Sequence, residues 1–225
     1  QKAVKIAGFM FLFAFIVPTL NWTFILSNYI VLDDSVATAE NITNNELMYR
    51  IGITIELIMS IGLVLLGVAL YTMLKSTNKS LGLIALSLKL IEASISTVIT
   101  VGSFVALLII SNESDYFNSI SSGSLQAIAG LLLQKHTELY SIPMLFLGID
   151  MMIFSFLFCK SGYIPSIIAR FGIISFFLIF IHSLMFIIAP EYAAMPLIQA
   201  MFWIPSGIFE LIIGTWLLVK GIKIS

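Results

Sequence analysis

Six runs of mostly apolar residues, each long enough to cross a bilayer, dominate this chain. Hydrocarbon offers no hydrogen bonds, so a spanning segment must satisfy its own backbone, and a run of about 20 residues does so as an α-helix. The runs cover about 4–30, 51–74, 81–110, 138–158, 164–188 and 197–219. Only 10% of the residues are charged and mean hydropathy is +1.08, whereas a soluble domain carries roughly 25% charged residues. The expected fold is all-α: a single transmembrane domain over residues 1–225, with six membrane-spanning helices. Lys2 and Lys5 precede a long apolar run from Ile6 to about Val31, as in a signal peptide. That run is too long and lacks a small-x-small cleavage site, so it reads as a helix that stays in the protein.

The connections order the helices in space. Residues 75–80, 159–163 and 189–196 are short links, while 32–50 and 111–137 are longer. The second long link opens polar and continues as a stretch with an apolar stripe at Leu125, Ile128, Leu132 and Leu133. This reads as an amphipathic helix on the membrane surface, or as the first part of an over-long fourth helix. Lys2, Lys5, Lys75, Lys79, Lys160, Lys220 and Lys223 all fall on one side, against Arg50 and Lys135 on the other. The positive-inside rule then puts both termini in the cytoplasm of a cell-membrane protein. Trp22, Trp203 and Tyr192 fall near the expected outer interface and Tyr163 near the inner one, as aromatic belts do.

Against this background four acids stand out. Glu56, Glu92, Asp150 and Glu210 lie inside apolar runs, while the other eight acids lie in the links or, for Glu138, at the edge of one. A charge at bilayer depth costs a few kcal/mol or more, so such an acid faces protein or water. In the third run Lys89, Glu92, Ser96, Thr100 and Ser103 are spaced 3, 4, 4 and 3, which sets all five on one helical face. Lys89 and Glu92 can pair along the helix. The stripe is then either inter-helix glue or the lining of a cavity or ion path. Asp150 has no base in its own run and needs a partner across helices, for which Lys89 is the candidate. Glu56 is either an interfacial acid reaching water or Arg50, or part of a pocket. Glu210 follows Pro205 and Gly207, and a backbone carbonyl freed beside it would suit a cation or proton. His182 reads as a hydrogen-bonded structural residue or a ligand. The strings Glu56-Leu57-Ile58 and Glu210-Leu211-Ile212 hint at a three-plus-three internal repeat.

Other chemistries find no support. The net charge is −1, which gives no basic face for nucleic acid. One cysteine, Cys159, excludes an internal disulfide and a multi-cysteine metal cluster. His136 and His182 fit no zinc motif and no matched heme pair, and no elbow, phosphate loop or dinucleotide fingerprint occurs. No cofactor is expected.

Several strings resemble a known bacterial family, domain-of-unknown-function family 4386. They are Ile55-Glu56-Leu57-Ile58-Met59, Ala69-Leu70-Tyr71 with Leu74-Lys75, Lys89-Leu90-Ile91-Glu92-Ala93, Val101-Gly102-Ser103, Tyr163-Ile164-Pro165 and Trp216-Leu217-Leu218-Val219-Lys220-Gly221. The resemblance covers nearly all of the chain. It implies a six-helix integral membrane protein and brings no activity with it. Where that family usually has arginine this chain has Lys89, which keeps the charge but not the planar fork.

Three functions remain open. The first is a protein that binds or transports a small ligand, ion or proton, with Glu56, Lys89, Glu92, Ser96, Asp150, His182 and Glu210 around one intramembrane pocket. The second is a non-catalytic partner or regulatory subunit whose buried polar residues lock helices together. The third, a membrane-embedded enzyme acting on lipid, lacks a visible nucleophile–base pair. Membrane lipids and a small ligand or cation are the expected partners.

Overall fold

A computed structural model of the chain describes residues 1–31, 34–111, 128–133 and 136–222. Among the described residues all regular structure is helical. The helices are α1 (Lys2–Phe24), α2 (Ser35–Asn44), α3 (Glu46–Leu74), α4 (Lys79–Ile110), α5 (His136–Leu139), α6 (Ser141–Ser161), α7 (Ser166–Ile188), α8 (Pro190–Ala193) and α9 (Pro196–Val219), with a 3₁₀ turn at Leu26–Asn28 after α1. Six of them are long and apolar enough to cross a membrane: α1 with its 3₁₀ turn, α3, α4, α6, α7 and α9. Their outward side chains are mostly apolar, among them Ile61, Val98, Ile167 and Leu197, which is the surface lipid requires.

The helix ends have local causes. The first helix does not run on to residue 30. It stops at Phe24, and Ser27 Oγ and Asn28 Nδ2 donate to the carbonyls of Thr23 and Phe24, which the helix end leaves without partners. The 32–50 link contains a helix, α2, whose start is capped by Asp34 Oδ1 accepting from Ala37 N at 2.9 Å. The next helix therefore begins at Glu46, five residues before the expected 51. The fourth spanning helix begins at Ser141 and not at 138, because Pro143 lacks an N–H and its ring excludes the carbonyl one turn back. Residues 136–139 form the separate turn α5. Pro165 likewise delays α7 to Ser166. Gly162 and Gly221, with φ of 67° and 73°, close α6 and α9 in the left-handed conformation that glycine adopts without strain.

Residues 128–133 are helical. Their buried face is Ala129 and Leu133, with Leu132 packed alongside, while Ile128 is exposed. The expected stripe is therefore off at Ile128, and its Leu125 lies outside the described residues, as do Glu113, Asp115, Lys135 and Lys223.

The chain divides into two compact units. The first comprises Gln1–Ile16, Ser60–Ile95 and Ser141–Ser225. Its core holds Phe11, Leu70, Phe154, Phe158, Phe176, Phe209 and Leu217, all buried. Phe209 receives the edge contacts of Phe11 and Phe176, at ring separations of 6.2 and 5.5 Å. Glycines let backbones touch here. A Cβ on Gly214 of α9 would stand 3.0 Å from the Gly8 carbonyl of α1, and one on Gly8 would stand 3.0 Å from the Gly214 carbonyl. Association in lipid relies on such close packing, since apolar side chains gain nothing by leaving lipid tails. Gly148 of α6 meets the Phe180 backbone of α7 in the same way, at 2.9 Å. Lys5 donates its ammonium to the Leu218 carbonyl at the end of α9.

The second unit comprises Val17–Met59 and Ser96–Tyr140. Leu26, Ile42, Tyr49, Ile53, Leu107 and Leu133 form its core. Asn21 Nδ2 of α1 donates to the Gly52 carbonyl of α3 at 3.1 Å.

Candidate functional site

Lys89 projects from α4 within the first unit. Its Nζ lies 2.6 Å from Glu92 Oε2, nearly one turn further along the same helix, and 3.0 Å from Asp150 Oδ1 on α6. Lys89 and Asp150 are 0% exposed and Glu92 is 1% exposed, so this is a sealed contact. Gly67 of α3 makes it fit, because a Cβ there would stand 2.8 Å from Lys89 Cγ. Glu92 and Asp150 thus crowd a single ammonium from two helices. Among the described residues neither oxygen of Asp150 receives an aligned hydrogen bond from a donor, so Lys89 meets Oδ1 as a charge contact. An ionised carboxylate offers acceptors only. Two of them crowded against one cation are favourable when one carries a proton.

Glu210 of α9 is half-buried, lies within electrostatic reach of Lys89 and Glu92, and makes no hydrogen bond or ion pair among the described residues. The carbonyl expected to be freed beside it is elsewhere. Pro205 releases the carbonyl of Met201, nine residues before Glu210 (201 to 210), or about 13 Å along the axis.

His182 of α7 is engaged at both ring nitrogens. Nδ1 accepts from Trp203 Nε1 at 3.0 Å, which leaves the proton on Nε2 to be donated to the Ala193 carbonyl at 3.2 Å. Phe202 stacks on the ring. This histidine ties α7 to α8 and α9, and Trp203 is its partner rather than a simple interface aromatic.

Glu56 and Ser96 belong to the second unit. Glu56 Oε2 accepts from Thr100 Oγ1 at 3.0 Å, and Oε1 lies 3.4 Å from His136 Nε2. Trp22 lies parallel to the His136 ring, with centroids 5.8 Å apart. Because α3 begins at Glu46, Glu56 is ten residues into its helix (46 to 56), about 15 Å along the axis. Ser96 is buried, and among the described residues its Oγ has no partner. Arg50 pairs with Glu46 at 2.6 Å and sits 5.9 Å over the Phe104 ring. Of the seven residues expected around one pocket, three are in direct contact (Lys89, Glu92 and Asp150) and Glu210 is within their field. Glu56 has its own partners in Thr100 and His136, and His182 in Trp203 and Ala193.

Gly67 and His136 had no signal of their own in the sequence. A glycine in an apolar helix does not announce which side chain it admits, and His136 is 80 residues from Glu56 (56 to 136).

Helices of this length and composition around a buried ionic cluster define a polytopic α-helical membrane protein. The family model described as "Domain of unknown function (DUF4386)" matches residues 6–221, and the chain belongs to that family. No curated protein and no solved structure matches the chain.

Proposed function

We propose that this protein holds and exchanges a proton inside the membrane, at the cluster of Lys89, Glu92 and Asp150. The observation that carries the reading is charge. One buried lysine faces two buried carboxylates. With all three ionised the cluster would carry a net charge of −1 in a medium that penalises any uncompensated charge by several kcal/mol. A single proton shared by Glu92 and Asp150 removes that charge and supplies the missing hydrogen bond. Glu210 is the acid to which the proton passes. It is near enough to feel the cluster and is half-buried. Gain and loss of this proton would be the step coupled to a ligand or ion. Both termini are taken to be cytoplasmic, from the lysine distribution, in a cell membrane whose lipids are the surrounding partners.

The test is proton movement. The protein is reconstituted in vesicles with a trapped pH-sensitive dye, and an imposed potential drives flux. Asp150→Asn and Glu210→Gln should each abolish flux while the protein still inserts and folds. Flux equal to the native rate in both variants would end this reading.

One observation favours a second reading, a structural lock in a partner or regulatory subunit: the cluster is completely enclosed. A lock with every group ionised would lose stability with any of the three residues, whereas a proton site tolerates Asp150→Asn.

A further inference from the structure

The corner where α7, α8 and α9 meet is held by His182, a residue the proton reading leaves unused. Trp203 Nε1 on α9 donates to His182 Nδ1 at 3.0 Å, and His182 Nε2 reaches the Ala193 carbonyl of α8 at 3.2 Å. An indole N–H can only donate, so Nδ1 carries no proton and the ring is neutral in this arrangement. We infer that His182 is a proton-sensitive latch: a proton taken up from water at Nδ1 breaks the bond to Trp203 and frees α8 and the first turns of α9.

An imidazolium has a donor on each nitrogen. Two N–H groups would then face each other across the 3.0 Å contact, so the Trp203 bond is lost outright. Nor is there an acid at hand to hold the new charge. On α8 the titratable groups are Glu191 and Tyr192, both exposed to solvent. On α9 the one charged residue is Glu210, seven residues past Trp203 (203 to 210), or about 10 Å along the axis. On α7 it is Arg170, twelve residues before His182 (170 to 182), or about 18 Å. On α6, Asp150 is engaged by Lys89, and Cys159 and Lys160 lie at the helix's last turn. His182 itself is buried, with Phe186 and Phe202 against its ring. An uncompensated charge is strongly disfavoured there, and opening to water relieves it. The parts it holds have little else to fix them. Of the four residues of α8 only Ala193 is buried. Pro205 cannot donate to the Met201 carbonyl, so α9 lacks a backbone bond across the turn that carries Trp203. Ser206 Oγ donates to the Trp203 carbonyl at 2.8 Å, and Gln199 Nε2 donates to the Ala194 carbonyl at 3.3 Å. Neither bond depends on the charge of His182.

The latch does not rest on the proton held by Glu92 and Asp150, since none of its bonds involves them. It is tested by amide hydrogen exchange of the full chain in lipid nanodiscs, from pH 8 to pH 5, the range in which an ordinary histidine titrates, with rates corrected for the intrinsic effect of pH. Protection of residues 189–204 should fall about tenfold or more as the pH drops, the effect of one lost hydrogen bond with a donor left unpaired, while the α6 core around Phe154 stays protected. His182→Gln keeps a donor and an acceptor but does not titrate, so protection of 189–204 should no longer change with pH. Trp203→Phe removes the latch and should leave 189–204 poorly protected at pH 8 as at pH 5. Glu191→Gln should leave the native response in place. A flat native profile, a fall shared with α6, a response that persists in His182→Gln, or one that vanishes in Glu191→Gln would each overturn the inference. The native profile and Trp203→Phe decide the matter even if His182→Gln fails to fold.

Discussion

Lys89→Met and Asp150→Asn touch the same ionic cluster, yet the geometry predicts opposite consequences. Methionine keeps most of the lysine stem and its packing against Gly67, but removes the charge that sits 2.6 Å from Glu92 and 3.0 Å from Asp150. Both acids are at most 1% exposed, so no solvent screening softens the loss. Removing one partner of a buried pair costs about 3–5 kcal/mol. In a chain of 225 residues each kcal/mol lowers Tm by about 2–4 °C, so the expected fall is about 6–20 °C. Asparagine at 150 is different. Its amide keeps the shape of a protonated aspartic acid and can donate to Glu92 as the shared proton does. It leaves a balanced Lys89–Glu92 pair, so the expected cost is within about 1 kcal/mol, or at most about 4 °C. Thermal unfolding of both variants in one detergent, followed by intrinsic fluorescence, measures the contrast. If Asp150→Asn falls as far as Lys89→Met, both acids are ionised in the native protein and the shared-proton reasoning is wrong.

Other substitutions probe the packing. Gly214→Ala puts a Cβ 2.8 Å from the Leu12 side chain and 3.0 Å from the Gly8 carbonyl, and should cost about 1–3 kcal/mol by thermal unfolding. Gly102→Ala meets its nearest neighbour, Leu132 Cδ2, at an ordinary 3.5 Å, and should hold or raise Tm because alanine is the better helix former by about 1 kcal/mol. Phe209→Ala opens the first unit's core, where Phe11 and Phe176 meet it, with an expected loss of about 3–5 kcal/mol. Trp203→Phe removes the donor to His182 Nδ1, which should cost about 0.5–1.5 kcal/mol. Nitrogen-15 spectra of the histidine ring should then show that the proton is no longer confined to Nε2.

The six spanning helices were plain in the sequence because lipid imposes one strong rule on every residue of a span. Their ends were less so, since they depend on single local events: Pro143 and Pro165 restarting helices, and the side chains of Ser27 and Asn28 ending one. The Lys89–Glu92 pair was legible because both residues sit on one helix at a fixed spacing, and Asp150 could be joined to it because a lone buried acid needs a base. The partners of Glu56 were not legible for a general reason. Depth in the membrane can be estimated along one helix, but which face meets which neighbour is set by packing. The partners of Glu56, Thr100 and His136, come from positions 44 and 80 residues away (56 to 100, 56 to 136). The same limit applied to His182. Its two ring bonds depend on Trp203 and on the short turn α8, which the sequence showed only as part of a link.

The most direct measurement of the shared proton is infrared spectroscopy of the carboxyl groups at neutral pH. A hydrogen-bonded, un-ionised carboxylic acid should contribute a carbonyl band in the native protein, resistant to solvent exchange as its burial requires, and Asp150→Asn should remove that band. A native spectrum with ionised carboxylates only, or a band that survives Asp150→Asn undiminished, would contradict a proton held between Glu92 and Asp150.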